Sequence, residues 1–582
     1  MPNTFAFLVL FSWPLVVVFL FRSMPLPKAL CWSLIAGYLL LPQRTGFNLP
    51  MLPTIDKNSV PSLAAVVMCL GLAYRDRLQE AWRGRGGGGG MAAGALLGRL
   101  RSVPRQGGAK VLFYALLALV FVAPIATVLT NQEPLFFGPR VLPGLTFYDM
   151  GSMVQGAIMT MIPFMLAMRF LATSARHVIL LRTLVLAGLA YSLLMLVEIR
   201  LSPQLNTWIY GFFQHSWSQH ARALGWRPIV FLNHGLWVGI FIATATLAAC
   251  VLWRQSLRDR IAATPWSMAA LWLALVLVLS SNFGATALVI LLAPVVLLAP
   301  PRVQILVAAV IAGSVLLFPM LRSAGFVPTD AAVSTIARIA PTRAASLQFR
   351  FNQEDRLLDR ASLKPLAGWG PWGRNRIFDE NTGRDVTVTD GAWIIFIGRD
   401  GWIGYIARFG LLTIPIILLA LRRRDQLTPA TSGLSLVSAA GLIDLIPNAT
   451  ITPITMLVAG ALTGRYLHEE RLIAASKDQR RQGPASAKAM WAGPLPGGIA
   501  PAGPSAAALA PAGWSAGSAG TPPGPSAAAT GPGTAARPHV RRNRTATPAG
   551  PVDRTGTATP ATDAAQHAPH RRSPRGSKPP GG

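Results

Sequence analysis

The sequence predicts an all-α, polytopic transmembrane bundle of about 12 to 13 helices, with one large polar loop and a disordered C-terminal tail. Three observations support this prediction. First, 52% of the 582 residues are hydrophobic and the mean hydropathy is +0.43, because whole windows are apolar rather than periodically apolar. Second, basic residues collect in the loops between apolar segments. Third, residues 321–391 interrupt these segments with about 70 residues of polar, arginine-rich sequence.

Apolar segments recur along most of the chain. Several are shorter than the ~20 residues that span hydrocarbon, so the predicted count is twelve or thirteen helices. The first segment has no basic region before it and no A-x-A cleavage pattern, which favours a retained helix over a removed signal peptide. The segments are 5–21, 28–41, 60–74, 110–130, 152–172, 178–197, 229–253, 265–281, 283–300, 303–320, 402–420, 432–447 and 450–466.

The composition excludes several classes of protein. The net charge of +30 lies largely in the loops and the C-terminal tail, without stacking aromatic residues between the basic ones, so we expect contact with the lipid bilayer and none with nucleic acid. The three cysteines, Cys31, Cys69 and Cys250, have no metal-binding spacing. No nucleotide-binding, hydrolase or metalloprotease motif is present. We therefore expect no cofactor.

The basic loops fix the predicted orientation and domain organisation. The loop at 75–110 is basic and glycine-rich and is expected on the cytoplasmic side, which places the 321–391 loop on the opposite face. The tail is rich in Pro, Ala, Gly and Ser and has too few large apolar residues to fold. The predicted regions are 1–130, the N-terminal helices; 131–320, the transmembrane core; 321–391, the large loop; 392–467, the C-terminal helices; and 468–582, the tail.

Two arginines and three histidines are candidates for a site near the membrane surface. Arg222 and Arg227 precede a predicted helix, and their forked guanidinium donors match phosphate oxygens; snorkelling to lipid headgroups is the alternative. His215, His220 and His234 lie in or just past the same loop. His215 and His220 have no third ligand at an obvious spacing, so no metal site is predicted, and His234 is a candidate for binding substrate.

The large loop contains a predicted amphipathic helix and a turn region. Residues 346–363 place apolar side chains along one face, interrupted by Glu354. Arg350, Arg356 and Arg360 of this helix are candidate auxiliary cations. The following Gly- and Pro-rich turns carry Trp369 and Trp372, which we interpret either as membrane-boundary residues or as stacking faces for a sugar.

Three ionisable residues fall in or beside predicted membrane helices. Glu198 lies at a helix end and is expected to reach water. Arg408 and Asp444 lie deeper, where charges are usually paired or functional. An Arg408–Asp444 ion pair is as consistent with the sequence as a catalytic role.

Four short motifs occur in an order that resembles a known family. They are Arg222-Ala-Leu-Gly225, Ser280-Ser-Asn-Phe-Gly284, Pro365-Leu-Ala-Gly-Trp-Gly370 and Gly401-Trp-Ile-Gly404. Over roughly residues 150–465 the chain resembles the O-antigen ligases and polysaccharide polymerases, which are bacterial membrane glycosyltransferases. The resemblance implies an inner-membrane location, with the large loop periplasmic and the tail cytoplasmic.

The resemblance also implies roles for residues at the end of the large loop. Aligned on Gly401, Asp390 stands where the family pattern has a histidine, and Trp393 stands at the aromatic position. The implied partners are a glycan on an undecaprenyl-diphosphate carrier and a glycan or lipid acceptor. Arg222 and Arg227 would hold the diphosphate, and Asp390 would act as base, since a carboxylate that loses water near a membrane becomes more basic.

Two other functions remain open on the sequence. A transporter or flippase of lipid-linked glycan would need basic residues along a water-filled path. A non-catalytic member of a polysaccharide secretion assembly is consistent with the missing family histidine.

Overall fold

The computed structural model describes residues 1–47, 54–85, 108–222, 225–339, 341–422 and 427–482. Within these ranges the chain is mostly helical, and short strands form two-stranded hairpins. The helices are α1 Thr4–Ser23, α2 Leu26–Leu40, α3 Ser59–Arg85, α4 Gly108–Leu129, α5 Phe147–Phe170, α6 Ser174–Leu201, α7 Leu205–Tyr210, α8 Gly235–Arg258, α9 Thr264–Leu279, α10 Phe283–Leu298, α11 Pro301–Ser323, α12 Thr329–Ile339, α13 Pro341–Ser362, α14 Ala392–Ala420, α15 Pro429–Asp444 and α16 Pro453–Gln482. The strands are β1 Gly46–Phe47, β2 Ile55–Asp56, β3 Leu135–Phe137, β4 Arg140–Leu142, β5 Ala221–Arg222 and β6 Gly225–Trp226.

Seven of the described helices, α1, α4, α5, α6, α8, α11 and α14, are long and apolar enough to cross a membrane. The predicted all-α, membrane-spanning fold is therefore confirmed. Each predicted apolar segment overlaps an observed helix. Two helix starts differ from the prediction by six residues or more. Helix α14 begins at Ala392 rather than 402, because it contains the polar pair Arg399-Asp400. Helix α8 begins at Gly235 rather than 229, because the apolar residues before it form irregular backbone.

The end of the last helix also differs from the prediction. Helix α16 continues to Gln482, past residue 468 where the tail was predicted to begin. The remainder of the predicted disordered tail, and most of the predicted glycine-rich loop, lie outside the described residues.

Helix α8 lies at the centre of the bundle. It is the most buried of the seven long apolar helices, with 83% of its hydrophobic window inside the protein. Helices α6, α9, α10 and α15 pack around it. Elsewhere, Gly460 and Gly464 lie one turn apart on α16 and face the carbonyls of Phe164 and Met168 on α5, where a Cβ would come within 2.2 and 2.3 Å of the oxygens. Small residues at this spacing allow two membrane helices to approach closely.

The polar segment 321–391 is largely folded. Helix α13 includes all but the last residue of the predicted amphipathic stretch 346–363. Its buried side chains include Glu354, Leu357 and Ala361, so the packed face contains the glutamate that interrupts the predicted apolar face.

Arg374 joins this segment to the loop that follows α4. Its side chain is 1% exposed and donates to the carbonyls of Glu133 (2.9 Å), Pro143 (2.7 Å) and Trp369 (3.2 Å). The large loop and the loop that follows α4 therefore pack directly against each other.

Helix α14 is broken at Gly401, whose φ is +66°. In a continuous helix the carbonyls of Gly398 and Arg399 would accept bonds from the amides four residues later. Instead they accept hydrogen bonds from the amides of Trp369 and Gly370, at 2.8 Å each. The large loop thus supplies the donors that the broken helix lacks.

The amides on the other side of the break are satisfied by the same loop. Trp402 N–H donates to the Pro365 carbonyl (2.7 Å), and Ile403 N–H donates to the Leu366 carbonyl (3.2 Å). The two glycine-containing motifs at 365–370 and 401–404 therefore form one interlocked structure. The glycines of these motifs allow the two stretches of backbone to pack closely.

Asp400 is the buried charge next to this break. Its side chain is 0% exposed and is paired with Arg399 (2.9 Å) and Arg408 (2.5 Å). The alternative Arg408–Asp444 pair considered from the sequence is wrong, because Asp444 instead accepts a hydrogen bond from the Thr450 hydroxyl (2.5 Å). A desolvated arginine requires an acceptor within reach, and the break in α14 brings Asp400 to it.

We expect Gly401→Ala to destabilise the protein strongly. An added Cβ would lie 2.2 Å from the Leu366 carbonyl oxygen at a backbone φ that disfavours side chains. Strain of this kind costs on the order of 1–3 kcal/mol before the steric clash is counted. Thermal unfolding in detergent measures the loss. Gly313→Ala is the matched control, because a Cβ there would meet no atom within 4 Å; equal midpoints for the two variants would contradict the interlocked break.

Candidate functional site

Residues 202–234, between α6 and α8, are organised by the Glu198 carboxylate. This side chain is 0% exposed, so the expectation that it reaches water is wrong. Its Oε2 accepts hydrogen bonds from the amides of Ile229 (2.8 Å) and Val230 (2.7 Å), and its Oε1 accepts one from Leu205 (3.1 Å). Both oxygens are therefore used to hold backbone that has left the helix.

Other buried side chains complete this support. The Phe231 amide donates to the Tyr191 hydroxyl (3.1 Å), and the Phe231 carbonyl accepts from Lys57 Nζ (2.9 Å). The Gln214 amide donates to the Val230 carbonyl (2.8 Å). Irregular backbone at membrane depth is stable only when the protein supplies such partners.

A cavity of about 630 Å³, here called the site cavity, opens beside this segment. It contains Arg222, Arg227, His234, Arg350 and Asp390, five residues predicted separately from the sequence. Its full lining is Gln219, Arg222, Arg227, His234, Leu236, Phe283, Ser346, Arg350, Asp390 and Asn448. The site cavity therefore joins the loop after α6, the first turns of α8 and α10, helix α13, and the segments just before α14 and just after α15.

The site cavity is positively charged. It is lined by three guanidinium groups, of Arg222, Arg227 and Arg350, and one carboxylate, of Asp390, which leaves a formal charge of +2. Arg350 Nε lies 3.4 Å from Asp390 Oδ2, and the two side chains are 39% and 36% exposed. Because an exposed pair of this kind is weak, both groups remain accessible to a ligand.

Arg227 is the most constrained of these cations. Burial, with the nearby charges of Arg222 and Arg350, lowers its pKa to about 10. Its Nη2 makes a long contact of 3.4 Å with the Ser281 carbonyl, and its buried Nε has no hydrogen-bond partner among the described residues. An anion in the site cavity would relieve both the repulsion and the unsatisfied donor.

Three histidines meet at the edge of the site cavity. His220 Nε2 lies 3.3 Å from His215 Nδ1, and the His234 ring centroid lies 4.6 Å from that of His215. Burial and the neighbouring His215 lower the pKa of His220 to about 4 and that of His234 to about 3, so both rings are neutral at pH 7. His234 therefore stands beside His215 and His220, a convergence that the sequence spacing did not reveal.

Arg360 and Trp369 belong to the support of the loop and do not line the site cavity. The Arg360 guanidinium donates to the Arg374 carbonyl (2.8 Å) and lies 4.2 Å from the centre of the Trp369 ring. Lys364 Nζ lies 4.9 Å from that ring, which is 9% exposed. The predicted sugar-stacking face of Trp369 is therefore occupied by the protein.

Three further predicted residues also lie outside the cavity lining. Arg356 is exposed on α13. Trp372 is 65% exposed and donates from Nε1 to Asp149 Oδ1 (2.9 Å). Trp393 is 1% exposed, with its ring 5.2 Å from that of Phe318, so it is a core residue. None of these three gains support as a substrate-binding residue.

Sequence reasoning missed three polar lining residues, Gln219, Ser346 and Asn448. Asn448 follows the end of α15, where its side-chain amide donates to Asp444 Oδ1 (2.8 Å). Gln219 lies in the loop between α6 and α8, Ser346 lies within α13, and Asn448 lies just beyond the end of α15. Polar residues at such positions are too common for the sequence to select these three.

We expect Glu198→Gln to disorganise residues 229–231. Glutamine has a single acceptor oxygen for three backbone donors, and an unsatisfied buried N–H costs about 1–3 kcal/mol. Thermal unfolding and proteolysis of the loop between α6 and α8 measure the effect. Glu380→Gln is the control, because this glutamate is exposed. A Glu198→Gln variant as stable as the control would refute this role.

Stability should depend on pH through Glu354. Burial, helped by Asp355 and Asp390 and opposed by Arg322, raises its pKa to about 7 from 4.5. Between these values the unfolded chain loses the proton while the folded chain keeps it, so this group lowers stability as pH rises. As the pH rises across this window, the stability of Glu354→Gln relative to the native chain should increase by on the order of 3 kcal/mol. Above the window the difference should stay constant.

Unfolding midpoints at several pH values test this expectation. Asp359→Asn, an exposed change on the same helix, is the matched control. A difference in unfolding midpoint between Glu354→Gln and the native chain that stays constant from pH 4.5 to 7 would contradict the raised pKa of Glu354.

No family model and no curated protein matches this chain. The likeness carried by the four motifs therefore remains a resemblance. The function proposed below depends on the residues of the site cavity.

Proposed function

We propose that this chain transfers a glycan from an undecaprenyl-diphosphate carrier to an acceptor hydroxyl, as a membrane glycosyltransferase of the O-antigen ligase or polysaccharide polymerase type. The observation that carries the proposal is the meeting of Arg222, Arg227, Arg350 and Asp390 around one cavity. These residues come from segments more than 120 residues apart in the sequence. Cations and a carboxylate gathered in this way suit transfer from a phosphate leaving group.

The charge of the site cavity fits this donor. A diphosphate esterified at both ends carries two negative charges, which would balance the formal +2 of three arginines and one aspartate. Guanidinium forks bind phosphate oxygens with two donors each. Arg227, half-buried and with an unused Nε, would gain most from the anion.

The proposed reaction is a displacement at the anomeric carbon of the donor glycan. Asp390 takes the proton from the acceptor hydroxyl as its oxygen forms the new glycosidic bond, and the bond from carbon to phosphate oxygen breaks. The electron pair leaves with undecaprenyl diphosphate, and Arg222 and Arg227 stabilise the charge that grows there. Arg350, 3.4 Å from Asp390, orients the carboxylate.

The charge of the loops supports an inner-membrane location for the proposed enzyme. Arg254, Arg258, Arg302 and Arg422 lie at the end of the bundle away from the site cavity. By the positive-inside rule that end is cytoplasmic, so the site cavity would open to the periplasmic side of a bacterial inner membrane. A lipid-linked donor would enter it from the outer leaflet.

A second observation favours the transporter alternative. A separate cavity of about 250 Å³ at the opposite end is lined by Arg169, Arg176, His468 and Arg471. Basic cavities at both ends would suit a protein that passes a lipid-linked anion across the membrane. Reconstitution distinguishes the two functions, since a transferase makes new glycosidic bonds and a flippase moves unchanged donor between leaflets.

Arg222→Ala and Asp390→Ala should each abolish glycan transfer, because one removes charge stabilisation and the other the base. Loss of one such group typically lowers the rate by about 10²–10³. The assay follows formation of polymer or ligated glycan from purified lipid-linked donor in proteoliposomes. Arg356→Ala is the matched control, since that arginine is exposed outside the cavity lining.

Two results would overturn the proposal. Full transfer activity in both site variants would exclude these residues. Donor translocation without any new glycosidic bond in the native protein would favour the flippase.

A further inference from the structure

Three imidazole rings converge at the edge of the site cavity from three separate pieces of backbone. His215 lies in an irregular loop, His220 ends a short 3₁₀ helix spanning Trp217–His220, and His234 is the residue before α8. One ligand nitrogen from each ring lies within 4.8 Å of those from the other two. Helix packing does not require the three rings to meet, since each ring could have faced the solvent separately.

The closest pair already has the spacing of metal ligands. A tetrahedral Zn²⁺ bonded to nitrogens at about 2.0–2.1 Å holds them roughly 3.3–3.4 Å apart. His220 Nε2 and His215 Nδ1 are 3.3 Å apart. The largest separation, 4.8 Å, closes to this value through a movement of about 1.5 Å, which side-chain rotation supplies.

The backbone around His220 orients its ring for ligation. Its Nδ1 lies 3.3 Å from the Arg227 carbonyl, which accepts the Nδ1 proton and leaves the Nε2 lone pair directed at His215. A metal-ligating histidine commonly donates its second ring N–H to a carbonyl in this way. The carbonyl of Arg227 thus fixes the tautomer.

His234 requires one local exchange. Its Nδ1 now accepts the Leu236 N–H at 3.0 Å, which caps the first turn of α8 and places the ring proton on Nε2. A cation that binds Nε2 replaces the proton there, and a cation that binds Nδ1 replaces the hydrogen bond from the Leu236 amide. Leu236 also lines the site cavity, so a water molecule there can accept a hydrogen bond from its amide.

We propose that His215, His220 and His234 form a site for Zn²⁺, with a fourth coordination position directed toward the site cavity. Three imidazole nitrogens are a donor set that favours zinc over calcium or magnesium. The cations Arg222 and Arg227 oppose a dication, so an anionic oxygen in the fourth position would complete the site. The proposal stands apart from glycan transfer, because zinc binding is measured directly.

Metal binding is tested on the full chain, purified in detergent with an affinity tag that contains no histidine. The protein is stripped with a chelator and titrated with Zn²⁺ in competition with a chromogenic chelator. We expect one Zn²⁺ per chain. Cobalt(II) in place of zinc should give the visible absorption of a four-coordinate ion. A native protein that binds no zinc would overturn the proposal.

Single substitutions locate the ion. His215→Ala and His234→Ala should each weaken zinc binding at least ~10-fold, with folding checked by the metal-free unfolding transition. His468→Ala, in the cavity at the opposite end, is the control and should bind as the native chain does. Unchanged affinity in both cluster variants would overturn the assignment, even if zinc binds elsewhere.

One further variant separates this site from the proposed function. Arg222→Ala should abolish glycan transfer and bind Zn²⁺ at least as tightly as the native chain, since a repelling cation is removed. If the native chain binds zinc but transfers no glycan, the proposed metal site stands and the proposed glycosyltransferase function is refuted. Loss of zinc in Arg222→Ala would contradict the electrostatic argument for the site.

Discussion

Backbone groups that leave a helix inside an apolar bundle have no water to bond, and two parts of this protein are built around that constraint. In one, the Glu198 carboxylate accepts the amides of residues 205, 229 and 230. In the other, residues 365–370 bond the carbonyls and amides that the break at Gly401 exposes. Without these partners each group would cost several kcal/mol in hydrocarbon. The rest of the site is arranged from these two fixed points.

The two fixed points support different parts of the site cavity. Glu198 positions the segment that carries Arg222, Arg227 and the three histidines. The loop bonded to α14 leads, through Arg374 and the irregular chain after it, to Asp390. A rigid frame would suit the proposed glycan transfer, which requires a phosphate and a proton acceptor to be held in a fixed relation during reaction. The exposed Arg350–Asp390 pair is the part of this frame that a ligand can displace.

Much of the fold was predictable because a helix that crosses the hydrocarbon core of a membrane needs a long run of apolar residues. The helix positions followed directly. Residues 222, 227, 350 and 390, which the sequence singles out separately, line one cavity. Pairings were not predictable. Arg408 bonds Asp400 because Gly401 breaks the helix between them, and no hydropathy pattern encodes that break. The burial of Trp369 and Trp393 was not predictable either, because a tryptophan at a membrane boundary, in the core or against a ligand looks the same in a sequence.

The interlock between residues 365–370 and helix α14 has a consequence for how the protein is made. During synthesis α14 emerges from the ribosome after the large loop, and its two halves cannot reach their final form until that loop supplies the missing hydrogen bonds. If the loop crosses the membrane as proposed, its translocation must precede the completion of α14. Membrane insertion is then coupled to folding of an extramembrane segment, and a chain delayed at this step would present a half-formed helix to the quality-control proteases of the membrane.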